Sequence, residues 1–92
     1  MRLVWTNAAV ADLEQISDYL FDNNPELTGT TIQSILESAS ELKLFPRRGR
    51  PGRKEGTREL VLTNLPYLVV YEVVDQSVRV LRVLHGARRW PE

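Results

Sequence analysis

One histidine and a few arginines in the second half of the chain are the residues best suited to chemistry. His85 is the only histidine, Arg88 and Arg89 follow it closely, and Arg58 stands at the start of an earlier apolar run. Imidazole can act as an acid or a base near neutral pH, and guanidinium groups bind phosphate or developing negative charge. These residues are therefore candidates for a site on the rigid support of a sheet edge.

Length and composition limit the other possibilities. Ninety-two residues predict one domain, residues 1–92, and the absence of cysteine excludes disulfides and thiolate metal sites. With a single histidine, we expect no metal and no cofactor. The N-terminus is too short and too polar for a signal peptide, and no apolar run approaches the roughly 20 residues that span a bilayer. The sequence therefore predicts a cytoplasmic protein.

Charge is divided unevenly along the chain. Residues 1–43 hold seven acidic and two basic side chains, whereas residues 44–92 hold ten basic and five acidic ones, so the halves carry about −5 and +5. One interpretation is a polyanionic or acidic partner for the basic half. The other is mutual attraction between acidic helices and a basic sheet within one fold.

Hydrophobic spacing predicts a short strand at residues 2–5 followed by two helices. Thr6 or Asn7 can cap the first helix. We expect its apolar stripe to be formed by Val10, Leu13, Ile16 and Leu20, with Asp12, Glu14 and Asp18 on other faces. Asn23-Asn24-Pro25 separates the helices, and Pro46 ends the second. The second stripe consists of Ile32, Ile35, Leu36, Ala39 and Leu42.

The rest of the chain reads as a loop and a β-meander. Residues 46–57 contain two prolines, three glycines, four arginines and a lysine, so we expect neither helix nor strand there. The loop is either a flexible basic arm or a solvated connection. Strands are predicted at 57–63, 67–74 and 78–85, joined by short turns. The fold class is therefore α+β, with a helical hairpin on one face of a mostly antiparallel sheet. The face without helices is the natural place for a site or partner.

The ordered set of motifs resembles the RelE/ParE superfamily, toxins of type II toxin–antitoxin modules, over nearly the whole chain. The landmarks are Trp5 with Ala8 or Ala11 and Asp12-Leu13, Asn24-Pro25, Leu42-Phe45-Pro46 with Gly49-Arg50, Thr57-Arg58-Glu59-Leu60, Tyr67-Leu68-Val69-Val70-Tyr71, Val80-Leu81-Arg82-Val83-Leu84-His85 and the end Gly86-Ala87-Arg88-Arg89-Trp90-Pro91. The resemblance implies one of two activities. RelE-like members cut messenger RNA on the ribosome, and ParE-like members inhibit DNA gyrase.

The nuclease residues that the resemblance implies are incompletely matched. The paired lysines of the RelE-like branch fall on Glu59 and Val61, one of its arginines falls on Leu68, and its last arginine matches Arg88. In the YoeB-like branch, Arg58 and His85 match, while Gly86 replaces a tyrosine. We therefore favour ParE-like gyrase inhibition, with ribosome-dependent RNA cleavage by Arg58, His85 and Arg88 as the alternative. Whether the protein is an enzyme stays open.

The resemblance also implies protein partners. Arg88, Arg89 and Trp90 are the expected contacts with the target, although Trp90 could instead pack within the molecule. A cognate antitoxin is expected to bind an apolar groove of the helices. Its candidate contacts are apolar side chains that a small sheet would not all cover: Leu20, Phe21, Leu27 and Leu36.

Overall fold

The computed structural model describes residues 1–86, which form two helices and a five-stranded sheet. The elements in chain order are β1 (Arg2–Trp5), α1 (Asn7–Asn23), α2 (Pro25–Glu41), β2 (Arg50–Pro51), β3 (Thr57–Val61), β4 (Tyr67–Val74) and β5 (Ser77–His85). The α+β class, the N-terminal strand, the helical hairpin and the final meander are thus confirmed. The strand predicted at 57–63 ends two residues earlier, at Val61.

The sheet has the order β1-β5-β4-β3-β2. The meander β3-β4-β5 is antiparallel, and β1 returns to pair with β5 in parallel. Our expectation that residues 46–57 hold no strand was wrong, because Arg50 and Pro51 pair with Glu59 and Arg58. Pro51 is tolerated there because β2 is an edge strand and needs no donor on its outer side.

The first helix begins at the sheet. The side chain of Thr6 accepts a hydrogen bond from Ala9 N at 3.2 Å and donates to the carbonyl of Val80 on β5 at 2.9 Å. The predicted N-cap is therefore Thr6, and it also fixes where α1 meets β5. Pro25 lies at the start of α2, where its missing N–H costs nothing.

The face assignment of α1 needs two corrections. Asp12, predicted to lie away from the core, is only 6% exposed, whereas Val10, predicted on the apolar stripe, is 40% exposed. Ala9 is the buried residue at that level. Leu13 and Ile16 pack against the core and Leu20 is buried, as predicted, so the difference is confined to the first turns of the helix. There Asp12 turns inward, where β5 supplies its hydrogen-bond partners.

The main core fills the space between the helices and one face of the sheet. The helices contribute buried residues at helical spacing, and the strands contribute alternate residues. Its buried members are Ala9, Ile35, Ala39, Leu42, Leu60, Leu62, Tyr67, Val69, Tyr71, Val78, Val80 and Val83.

A second apolar cluster, formed by strand residues, is separate from this core. Leu68, Val70 and Leu84 are buried, and Leu81 packs against them. Leu81 is the extra, unpaired residue of a β-bulge in β5. The register shifts there, because Val70 of β4 pairs with Arg82 and Tyr71 pairs with Val80. Helical residues are absent from this cluster within residues 1–86, as the sequence predicted, but its side chains are buried rather than open.

No helix in the described part of the chain is both long and apolar enough to cross a membrane.

Candidate functional site

Two tyrosines of β4 mark the two regions in which the described candidate site residues lie. Tyr67 and Tyr71 are four residues apart on one strand, so their side chains share the face that carries the main core. Tyr71 lies at the basic loop that follows α2, and Tyr67 lies where β5 ends. The candidate site residues divide between these two ends.

At the Tyr71 end, a buried phenol holds the loop in place. The Tyr71 hydroxyl donates to the carbonyl of Pro46 at 2.6 Å and accepts from Gly49 N at 2.9 Å. A Cβ at Gly49 would stand 2.7 Å from the Tyr71 ring and hydroxyl, so only glycine permits this approach. The loop residues 46–49 are thus fixed to the sheet, and a freely flexible arm is ruled out for this part of the loop.

Arg58 reinforces the same end. Its Nη1 donates to the carbonyl of Gly49 at 2.7 Å and to that of Arg47 at 3.5 Å, the second a marginal contact. It does not pair with Glu72 across the sheet, because Glu72 accepts from Arg79 at 2.7 Å. Arg58 therefore holds a fixed place beside the loop.

The lysine-matching positions also lie on β3. Glu59, where the RelE-like branch has a lysine, is 6% exposed and accepts two hydrogen bonds from Arg50, at 3.0 and 3.2 Å. Val61 is exposed at the end of the strand. A carboxylate with a structural partner and an aliphatic side chain cannot supply the cationic groups that phosphorane stabilisation requires.

At the Tyr67 end, His85 lies opposite Tyr67 across β4 and β5. The two rings meet edge to face, with centroids 5.9 Å apart and planes at 84°. His85 is exposed, so its imidazole is reachable from solvent. Gly86 N donates to the carbonyl of Pro66 at 2.7 Å and closes the strand end.

A cavity of about 430 Å³ opens beside these rings, between α1 and the strand ends. Its lining is largely apolar with a polar rim, and it comprises Asp12, Gln15, Ile16, Tyr19, Leu20, Pro66, Tyr67, Val83, Leu84 and His85. Of the four residues predicted to bind the antitoxin, only Leu20 lines this cavity, and it is buried. The other three are exposed on the helices: Phe21 by 68%, Leu27 by 48% and Leu36 by 42%.

Asp12 fixes the wall of this cavity. Its carboxylate accepts from Arg82 Nε at 2.7 Å and Nη2 at 3.0 Å, and from the buried Val83 N at 2.9 Å. A bidentate pair with an added backbone donor holds α1 against β5. Sequence reasoning missed this role. The available signal was an acidic residue three positions after Ala9 and four before Ile16, which places it on the buried stripe.

The hydroxyls of Tyr67 and Tyr71 both have a pKa above the ordinary value for tyrosine. Burial raises the pKa of the Tyr67 hydroxyl, and the nearby phenol of Tyr19 raises it further. Burial also raises the pKa of the Tyr71 hydroxyl, although the hydrogen bond from Gly49 and the positive charge of Arg58 partly oppose the shift. Both hydroxyls are therefore neutral near pH 7, and neither provides a ready phenolate base.

Arg58 and His85 are not brought together. The two residues do not lie on adjacent strands, because β4 lies between β3 and β5, and they stand near opposite ends of β4. Arg58 pairs with Tyr71 and His85 with Tyr67. Four residues of rise and two strand spacings separate their Cα atoms by roughly 16 Å. Of the other predicted contacts, Arg88, Arg89 and Trp90 lie outside the described residues.

The described residues thus form a helical hairpin on one face of a five-stranded sheet with the order β1-β5-β4-β3-β2. The chain matches the family described as ParE toxin of type II toxin–antitoxin system, parDE, over residues 3–90, and it belongs to that family. It is accordingly a toxin of a type II toxin–antitoxin system of the ParE/RelE type.

Individual relatives agree with this assignment. Toxin RelE2 of Caulobacter vibrioides is 36% identical over 87 residues, which cover 95% of this chain and 97% of that protein. The chromosomal ParDE toxin–antitoxin system of P. aeruginosa contains a chain that is 31% identical, with a TM-score of 0.86, covering 92% of this chain and 95% of that one. The RelBE2 toxin–antitoxin complex of Mycobacterium tuberculosis gives 27% identity and a TM-score of 0.65, with 91% and 95% coverage.

Proposed function

We propose that this protein arrests growth by inhibiting DNA gyrase, as a binding module without catalysis of its own. The observation that carries the proposal is the separation of Arg58 from His85 by roughly 16 Å on opposite ends of the sheet. Acid–base catalysis needs its groups within hydrogen-bond reach of one substrate. Membership of the ParE toxin family gives further support.

A supercoiling assay with purified gyrase tests this proposal. The full chain should block supercoiling or accumulate cleaved DNA complexes. We propose Arg88, Arg89 and Trp90 as target contacts, so the double variant Arg88→Ala/Arg89→Ala should inhibit less. The matched control is Arg48→Ala/Arg79→Ala, which removes the same charge from arginines that each pair with a carboxylate. Supercoiling that continues unchanged at large toxin excess would refute gyrase as the target.

The toxin is also proposed to form a neutralising complex with a cognate antitoxin. Phe21, Leu27 and Leu36 expose apolar surface on the helices, and Leu20 lines the nearby cavity. An amphipathic antitoxin segment could bury these side chains, and the structural relatives come from toxin–antitoxin systems. We expect growth arrest when the toxin is expressed alone and recovery when the antitoxin is expressed with it.

Aspartate substitutions on α1 test the proposed antitoxin surface. Phe21→Asp should abolish rescue by the antitoxin while the protein stays folded, because the side chain is exposed. Val10→Asp serves as the matched control, since Val10 is an exposed apolar residue elsewhere on the same helix. Equal rescue of both variants would remove Phe21 from the antitoxin surface.

Ribosome-dependent RNA cleavage is the second candidate. It is favoured by an exposed imidazole, His85, at the rim of a 430 Å³ cavity. In this alternative His85, Arg58 and Arg88 form the catalytic set. Primer extension on translated messages should then show toxin-dependent cuts that disappear in His85→Ala. Cuts that persist in both His85→Ala and Arg58→Ala would eliminate this mechanism.

A further inference from the structure

A second cavity lies at the Tyr71 end of the sheet and has a different character. Its volume is about 340 Å³, and its lining comprises Met1, Pro46, Arg47, Gly56, Arg58 and Val73. Two guanidinium side chains and no carboxylate belong to this lining. Such a cavity attracts anions, because two like charges close together are stabilised by an ion of opposite sign.

The internal ion pairs of the basic loop show which of its cations are already neutralised. Arg48 pairs with Glu41 at 2.5 Å and also stacks over the Phe45 ring. Arg50 pairs with the buried Glu59 at 3.0 Å. Within residues 1–86, three other cations of the loop and the neighbouring Arg58 of β3 form no salt bridge, and neither does the loop's one acid, Glu55; the three loop cations are Arg47, Arg53 and Lys54. Positive charge is therefore left over at the cavity and beside it.

Arg58 is positioned before any ligand arrives. The two carbonyls that it contacts both use Nη1, so Nε and Nη2 are left without a hydrogen-bond partner among the described residues. One of those carbonyls belongs to Gly49, whose N–H is held by the Tyr71 hydroxyl. A guanidinium fixed in this way loses little conformational entropy when its free edge binds a phosphate in bidentate fashion.

We propose that this cavity binds the phosphate backbone of a nucleic acid, with Arg58 as the fixed contact and Arg47 as the mobile one. A repeating chain of phosphates matches the leftover charge better than a single anion does, because Arg53 and Lys54 extend it along the same loop. Pro46 and Val73 supply apolar surface for the sugar between phosphates. The site lies at the opposite end of β4 from His85.

Fluorescence anisotropy with a short labelled DNA duplex at low ionic strength tests the site with the full chain alone. Arg47→Gln should weaken binding about fivefold and lower the slope of log K against log salt by about 0.9, the value for one lost phosphate contact. Arg48→Gln is the matched control, being adjacent, exposed and equal in charge change but already paired with Glu41. It should change the affinity by less than about twofold.

Three outcomes would overturn the proposal. The first is a wild-type protein that does not bind the duplex. The second is an equal loss in Arg47→Gln and Arg48→Gln, which would show attraction to overall charge rather than to this cavity. The third is displacement of the duplex by a competitor as efficiently as by unlabelled DNA at matched ionic strength. Displacement by inorganic phosphate would assign the cavity to a free anion, and displacement by poly-glutamate would assign it to an acidic protein. Because gyrase is absent, failure here leaves the gyrase proposal untouched.

Discussion

Tyr67 and Tyr71 occupy the same strand and the same face, yet they serve the protein differently. Tyr71 is fully buried, and its hydroxyl satisfies two backbone groups of the loop that follows α2. Tyr67 is almost as buried, but it borders an open cavity and meets His85 edge to face. The difference shows that one end of β4 is closed by hydrogen bonds and carries a fixed cation, whereas the other end borders an open and largely apolar cavity.

The largest effect should come from the ion pair that supports the Tyr67 end. Asp12→Ala leaves Arg82 largely buried without its carboxylate and Val83 N without an acceptor. We expect a loss of about 3 kcal/mol or more in unfolding free energy, measured by urea denaturation. Glu72→Ala is the control, because its partner Arg79 is exposed and such pairs contribute at most about 1 kcal/mol. Similar losses in both variants would contradict a structural role for Asp12.

A direct comparison of the tyrosines should give the next largest effect. Tyr71→Phe removes both bonds to the loop and leaves the buried Gly49 N unsatisfied, which should cost about 1 to 3 kcal/mol. Tyr67→Phe should cost less than about 0.5 kcal/mol, since no hydrogen bond to another residue within 1–86 holds its hydroxyl. Urea denaturation of the two variants measures the difference directly. Equal costs would show that the two ends are held alike.

Alkaline pH should weaken the fold through the same phenols. Each has a pKa raised by burial, so the unfolded chain releases these protons first, near the ordinary value of 10.0. The contribution of these two phenols to the free energy of unfolding is therefore fully present below pH 10 and is lost as the pH rises above that value. Urea midpoints measured from pH 8 to 11 should decline, and the decline should be shallower in Tyr71→Phe. A parallel decline in that variant would show that Tyr71 does not contribute.

The smallest expected effect lies at the β4–β5 turn, which follows the end of β4 farther from Tyr67. Asp75 and Gln76 have φ angles of 49° and 62°, the left-handed region of a two-residue hairpin turn. Gln76→Gly should therefore stabilise the protein by about 0.5 to 1 kcal/mol, a gain limited by the added freedom of glycine in the unfolded chain. Thermal unfolding would detect it. A lower melting temperature would contradict this interpretation of the turn.

The sequence predicted the fold well and the site only in pieces. Pro25, Pro46 and the apolar run of β4 predicted the helices and strands within a few residues, because these signals are local. The two-residue strand β2 was missed, since Arg50 and Pro51 have no strand pattern and extend only because β3 offers them an edge. Asp12 was misplaced on α1 because the partner that draws it inward, Arg82, is seventy residues away in the chain.

The amino-acid sequence by itself determined the α+β class, the helical hairpin, the meander and the membership of a toxin family, since each depends on periodicity, turn residues and ordered motifs. Only the tertiary structure decided which cations of residues 46–58 form ion pairs. It also decided that Arg58 and His85 lie apart, although both had been predicted as site residues. The physical reason is that strand order and register are set by long-range pairing. Two residues at the ends of different strands can be neighbours or roughly 16 Å apart, depending on which strand lies between them.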